Sequence, residues 1–433
     1  VVYSGSQRSI NQRFEIIAEI IPRDNPREKR TMSDRQYYFP AISPTVLLGI
    51  AACLMLASSP FGPSFQGLGD LPGGADRSVA RSVSDDGKVV VGNAYSAAGY
   101  EAFRWTSGGM IGLGDLPGAG VASGAGACSA DGLVLVGSGS KSTSFNAIRW
   151  TFGDGMVELG SLPGGGADSS ARAISDDGSV IAGWADSAPA SGVEAFRWTS
   201  GSGMVGLGNL GHAVTYSSAE DMSADGSVIV GQSWSASGRE GFLWTSGGGM
   251  VGLGDLPGEA FSSEAHGVSA DGLTVVGSSR SASGTEAFRW NSGSMTGLGD
   301  LPGGSFDSEA RATSGDGSII VGTSETDLGN EAFIWDSVNG MRNLETVLND
   351  QGVNTAGWQL EIAHDITPDG RFVVGEGRTP PSAIGTQAFL VDLTGGPPPT
   401  PASSDWSLVV MMIVLATLGL ASIAIGKRTR QAV

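Results

Sequence analysis

GLGDLPG, residues 67–73, returns unchanged at 112–118, 252–258 and 297–303, and in altered form as ELGSLPG at 158–164 and GLGNLGH at 206–212. Taken singly, Gly67, Gly69 and Gly73 are spaced like a phosphate-cradling loop. Such a loop has to follow a strand and open a helix, whose N-terminal N–H groups receive the phosphate. Here the motif runs into Pro72 and a Gly/Ser/Asp stretch without helical periodicity, and a cofactor loop does not recur along a chain. The motif is one strand and turn of a repeat. No cofactor is expected.

Two further landmarks return with it, about every 46 residues. Asp-Gly turns end at Gly87, Gly132, Gly178, Gly226, Gly272, Gly317 and Gly370. Aromatic strands of the type EAFRW end at Trp105, Trp150, Trp198, Trp244, Trp290 and Trp335, and a last copy, QAFLV, ends at Val391. Each unit holds four short strand-like runs. ARAIS at 171–175, VIAGWA at 180–185 after the hairpin signal Asp177-Gly178, and EAFRWT at 194–199 are three, and GMVELGSL at 155–162 is of the fourth kind. No run shows the helical period. Four strands at this spacing predict an all-β chain, a β-propeller of seven blades over residues 65–393.

The repeat opens with a lone fourth strand, FQGLGDL at 65–71, and its seventh unit stops after its third, AFLVDL at 388–393. The N-terminal strand is expected to complete the last blade, which removes the open edge of the ring. In Phe103-Arg104-Trp105 the aromatics share one sheet face and are expected to bury between blades. Arg104, Arg149, Arg197 and Arg289 face the other way, with Asp70 or Glu101 as expected partners. Asp70 is replaced by Ser161 and Asn209 elsewhere, the interchange of a turn-capping side chain.

These pieces (LGDLPGG, the S-D-D-G turn with the V-V-G strand after it, and A-F-x-W) resemble the HAF-type repeat family of extracellular bacterial proteins, as does NLETVLNDQGVNTAGWQL at 343–360. The family's His before Ala-Phe is Glu101, Glu194, Glu286 and Glu331 here. The resemblance implies an exported repeat protein and supplies no catalytic residues.

The 433 residues carry a net charge of −19, and 40% are apolar, enough to build a core despite 69 glycines. The acidity argues against nucleic acid, whose binders need a basic face. Cys53 and Cys128 are the two cysteines; Cys128 stands where other units have Val83, Ile174, Met222 and Val268 and reads as a small core residue. No Cys/His metal set, HExxH, P-loop or GxSxG is present, and no metal site is expected.

Apolar segments flank the repeats. TVLLGIAACLMLA at 45–57 has signal-peptide length, so Met32 is the expected start, with 1–31 a non-native upstream extension and 32–64 the signal and mature N-terminus. Ile50-Ala51-Ala52-Cys53 resembles a lipobox, although LMLA after it is unlike a mature lipoprotein start. A Pro-rich linker at 394–405 leads to an apolar span at 406–426, long enough to cross a membrane as a helix, and to a basic tail at 427–433 with Lys427, Arg428 and Arg430. Ser-Asp-Trp-Ser before the span resembles a C-terminal sorting signal for a sortase-like processing protease; a permanent single-pass anchor is the alternative. The repeats are then extracytoplasmic, at the cell surface.

Aligned on the Asp-Gly turns, the residue six before the glycine is Arg81, Gly126, Arg172, Glu220, His266, Arg311 or His364, and the residue before it is always alanine. The first strand of a propeller blade is innermost, so these residues are expected to ring one mouth of the channel. Two readings stand: an anion-binding ring, for an acidic polysaccharide or an envelope protein, or inter-blade ion pairing with Glu264 and Glu309. Trp184, Trp234, Tyr95 and Tyr216 depart from the repeat on neighbouring loops and offer either a stacking surface or local packing. The expected function is a non-catalytic binding or scaffold module of the bacterial envelope. The alternative is an extracytoplasmic polysaccharide-active enzyme at the channel mouth, for which Glu220 stands without a second carboxylate in that ring.

Overall fold

The computed structural model describes residues 62–394, apart from 118–121, 142, 189–191, 213–215, 259 and 380–384. The upstream extension, the signal, the linker and the C-terminal span lie outside these residues. Among the described residues no helix is long and apolar enough to cross a membrane.

The described strands form seven four-stranded antiparallel sheets, six of them in sequence order. Blade 3 is typical, with strands Ser169–Ile174, Val180–Asp186, Val193–Thr199 and Gly203–Gly206 running outward from the axis. Blade 7 takes its outer strand from the other end of the chain. Ser64–Gly69 pairs antiparallel with Thr386–Asp392, Phe65 opposite Val391 and Gly67 opposite Phe389. The expected ring closure is present.

The A-F-x-W strands pack the blades together. Phe103, Phe196, Phe242, Phe288, Phe333 and Phe389 are fully buried, most of them among small and branched residues of two adjacent blades. Phe196, for example, packs with Ile181 and Met204 of its own blade and with Val136 and Ala147 of blade 2. Cys128 lies unpaired at the equivalent contact between blades 1 and 2, beside Val89 and Ala125, where burial pushes its thiol up to about 12.

The repeat's polar residues stitch these contacts. Ser123 at the head of blade 2 donates to the Gly114 carbonyl (2.6 Å) and accepts from Ala102 N–H of blade 1 (3.1 Å). Serines at the head of other innermost strands bond likewise, Ser217 to Gly208 and Ala195, Ser263 to Gly254 and Gly241. Glu101 accepts from Gly114 N–H (2.7 Å), and Glu194, Glu240 and Glu286 do the same for Gly208, Gly254 and Gly299. This corrects the expected arginine pairing, since these carboxylates cap the LGD turn. Arg104 instead donates to the Gly132 carbonyl and lies over Phe152, Arg149 approaches Asp154 at 3.7 Å, and Arg289 donates to Gly317 and Thr274. Asp70 accepts from Gln387.

The Asp-Gly hairpins link into a necklace. Asp85 N–H donates to the Ala130 carbonyl, and the chain continues through Asp176, Ala224, Ala270 and Gly315 to the carbonyl of Pro368, at 2.9–3.1 Å per link. Pro368 has no N–H with which to return the bond to blade 1.

The terminal insertion holds a short helix, Leu344–Asp350, where no helical run was expected. Two turns are too short to display a period. Asn343 caps it by accepting from Thr346 N–H (2.8 Å), and Leu344 and Leu348 pack into the core of blades 6 and 7.

Candidate functional site

Every innermost strand carries a β-bulge, and the extra residue is Arg81, Gly126, Arg172, Glu220, His266, Arg311 or His364. The alanine before it pairs with a glycine of the second strand, from Ala80↔Gly92 to Ala363↔Gly375. A Cβ on Gly92 would stand 1.9 Å from the Val79 carbonyl oxygen, and the other six glycines would meet the same carbonyl at 1.9–2.0 Å. The bulge therefore needs that glycine. It also turns the extra side chain off the ladder, and all seven bulge residues line one central cavity of about 400 Å3.

The side chains brought together are not equivalent. Around blades 5 to 7 carboxylates stand beside them, although Arg311 Nε and His266 Nε2 make no hydrogen bond of good geometry among the described residues. Arg311 Nη2 lies 2.5 Å from Glu309 Oε2, His266 Nε2 lies 3.0 Å from Glu309 Oε1, and His364 Nε2 lies 3.1 Å from Glu376 Oε1. Burial raises the Glu309 carboxyl, but the His266 contact and the Arg311 charge outweigh it and hold the group down at about 2. Burial pushes the His364 imidazole down to about 4, so it stays neutral near neutrality. Neither Glu309 nor Glu376 occupies a bulge. Each reaches the ring from beside it, so Glu220 is not the single carboxylate at this mouth.

Around blades 1 to 3 the arrangement is open. Among the described residues Arg81 has no carboxylate partner; its Nη1 lies 3.3 Å from His364 Nδ1. Burial holds its guanidinium below the usual range; Glu376 and Tyr100 oppose this, and the like charges of Arg311 and Arg172 add to it. Gly126 contributes no side chain. Arg172 is half exposed and bonds Glu220 at 2.6 Å, while Ser218 donates to the other Glu220 oxygen at 2.8 Å.

One residue past the bulge, two aspartates sit between blades. Asp221 accepts from Val268 N–H (2.8 Å) and Asp365 from Val83 N–H (3.0 Å), each bridging to the next blade. Burial pushes Asp221 up to about 7 and Asp365 up to about 6. Their sequence signal is an acid where other units have Ser82, Ala127, Ala173, Gly267 and Ala312.

The two candidate tryptophans stand apart from this cavity. Trp184 lies in the second strand of blade 3, opposite Ser170 and Ala195, rather than on a loop. Trp234 ends the second strand of blade 4, with its ring 6.1 Å from that of His212. It lines a second cavity of about 390 Å3 between blades 4 and 5, with Phe261, Arg239 and Arg280. Among the described residues no group of three or more His, Cys, Asp or Glu side chains is placed to hold a metal ion.

No protein-family model and no curated protein matches the chain. Solved structures do. Oligogalacturonate lyase from Vibrio parahaemolyticus overlays with a TM-score of 0.49 at 11% identity, covering 76% of this chain and 97% of that one. The β-propeller domain of the Trilobed protease from Pyrococcus furiosus overlays at 0.46 and 10% identity, over 75% and 99%. TolB from Acinetobacter baumannii overlays at 0.39 and 13% identity over 60% of this chain, which spans 61% of that structure's length. The sheet order, with Ser64–Gly69 closing the last of seven four-stranded sheets, makes the chain a seven-bladed β-propeller.

Proposed function

We propose that this chain is an exported, surface-displayed propeller of the HAF-repeat type that binds an acidic glycan at its channel mouth without transforming it. The observation that carries the reading is the convergence of side chains from structurally equivalent bulges on one cavity, with Arg81 among them bonded to His364 and, among the described residues, to no carboxylate. A largely buried guanidinium without a carboxylate is costly unless a ligand supplies the counter-charge. Guanidinium forks meet carboxylates in bidentate fashion. The surrounding protein is acidic, with a net charge of −19, so a cationic pocket in it selects for ligands that place their charge at that point.

His364 is held neutral down to about pH 4, so it adds no charge to the mouth as pH falls through about 6.5. The test is an array of acidic and neutral glycans probed with the purified protein, with an activity screen alongside. Retention on acidic members only, weakened by salt, supports the reading; turnover of any bound glycan sinks the non-catalytic part. For export, peptides from residues 1–31 in material from the cell surface would refute initiation at Met32.

A further inference from the structure

Three departures from the repeat fall in the same sector of the mouth. Gly126 of blade 2 is the bulge residue without a side chain, and it lies between Arg81 of blade 1 and Arg172 of blade 3 in the ring. Tyr100 and Phe145 line the cavity from the third strands of blades 1 and 2, at a position held by Val193, Arg239, Thr285, Asn330 and Thr386 elsewhere. Asn93, in the second strand of blade 1, is 8% exposed, and among the described residues its Oδ1 has no hydrogen-bond partner although it lines the cavity beside Gly124. The cavity accordingly runs sideways over blade 2, past Ser138 and Ser170.

We infer that this blade-2 sector is the seat for one uronic acid residue, its carboxylate between Arg81 and Arg172, its hydroxyls at Asn93, Ser138 and Ser170, and its apolar ring face toward Tyr100 or Phe145. This rests on the acidic-glycan reading above and locates it. The chemistry favours that occupant on three counts. A planar carboxylate matches a guanidinium fork. A buried amide oxygen without a donor is satisfied by a sugar hydroxyl. Half-exposed aromatic faces suit the C–H face of a pyranose. A cavity of about 400 Å3 lies within the range of small-ligand clefts. Glu220 now acts as a stand-in, since it occupies Arg172 in the absence of ligand and competes with the incoming carboxylate.

The probes are a galacturonate trimer, its methyl ester and a sulfated galactose trimer, titrated against the full protein by calorimetry. Expected are binding of the free acid, a loss of at least about 30-fold for the ester, and a weaker response to the sulfate. Gly126→Arg should abolish binding by filling the seat, as arginine does at the same bulge in blades 1, 3 and 6. A Cβ at Gly126 meets the Ala171 carbonyl oxygen at 3.1 Å, so Gly126→Ala serves as the milder companion if the larger variant fails to fold. Arg81→Gln should weaken binding about 30-fold or more, Arg311→Gln less than about threefold, and Glu220→Gln should tighten it. If the protein binds neither acidic trimer, the channel-mouth reading itself fails. If it binds and Gly126→Arg binds equally well, or Arg311→Gln loses as much as Arg81→Gln, only the blade-2 seat is wrong.

Discussion

Blades 5 to 7 and blades 1 to 3 present the same bulge to the same channel, yet one arc is closed by its own charges and the other is open. In the closed arc His266 and Arg311 share Glu309, and His364 rests on Glu376. In the open arc Arg81 has no such carboxylate, Gly126 withdraws, and Arg172 is half exposed. The backbone is common to both, so the contrast lies wholly in which neighbours carry acids. Of the closed arc's contacts only His266–Glu309 crosses from one blade to the next, whereas in the open arc Arg81 meets His364 and, among the described residues, no carboxylate.

That division can be broken or sharpened by experiment. The largest effect should follow removal of residues 62–69, because Arg81 reaches His364 across the seam that this strand closes. Its loss should lower the thermal midpoint by at least about 10 °C and abolish glycan binding together. An unchanged calorimetric trace would show that the seam does not depend on it. Next, Glu309→Ala strands Arg311 and His266 and should cost about 2–3 kcal/mol in urea unfolding. A cost below about 0.5 kcal/mol would erase the distinction between the arcs.

The pH response should separate the inter-blade aspartates from the closed arc. Asp221 is raised from 3.8 to about 7, so its contribution to stability is full below about pH 4 and lost as pH rises through 7. Asp221→Asn should therefore raise the stability read by urea unfolding at pH 8 relative to the parent, by on the order of 1 kcal/mol, and leave it alone at pH 4. The closed arc has the opposite sign. His364, lowered from 6.5 to about 4, stabilises fully above pH 6.5 and loses that contribution as pH falls through 4. Glu309, lowered from 4.5 to about 2, follows at more acid pH. The smallest effect belongs to Arg172→Ala, under about 1 kcal/mol of stability, since Arg172 is half exposed and Glu220 keeps its bond from Ser218. A larger loss would make Arg172 a strut between blades 3 and 4.

Much of this architecture is legible because each unit restates it. LGDLPG, S-x-D-G and A-F-x-W each mark one strand or turn, and the unmatched strand at residue 65 points to its partner near 390. The mouth is visible as an alanine followed by a changing neighbour. That the neighbour occupies a bulge is not visible, because a bulge is a matter of register between two strands, and the glycine that permits it sits in the second one. Glu309, two residues before a bulge, is one of the pairing partners the sequence offers, and it does meet His266; Glu376 reaches the ring from a second strand, so spacing along the chain does not join it to His364. Glu101 was misassigned for the same reason: its partner is an N–H of the LGD turn, which carries no side-chain signal.

The closing strand has a consequence for the order of events during synthesis. Ser64–Gly69 is among the first parts of the propeller to be made, and its partner, Thr386–Asp392, is the last. Through the making of six blades it stays without its neighbour, and Phe65, which packs edge-on against Trp358 in the finished ring, has nothing to cover it. A contact spanning nearly the whole repeat region is slow to form, because loop closure must precede any reward from pairing. The growing arc of blades thus carries an open edge at each end until the final strand emerges, and an isolated strand of this kind pairs with a second chain as readily as with its own.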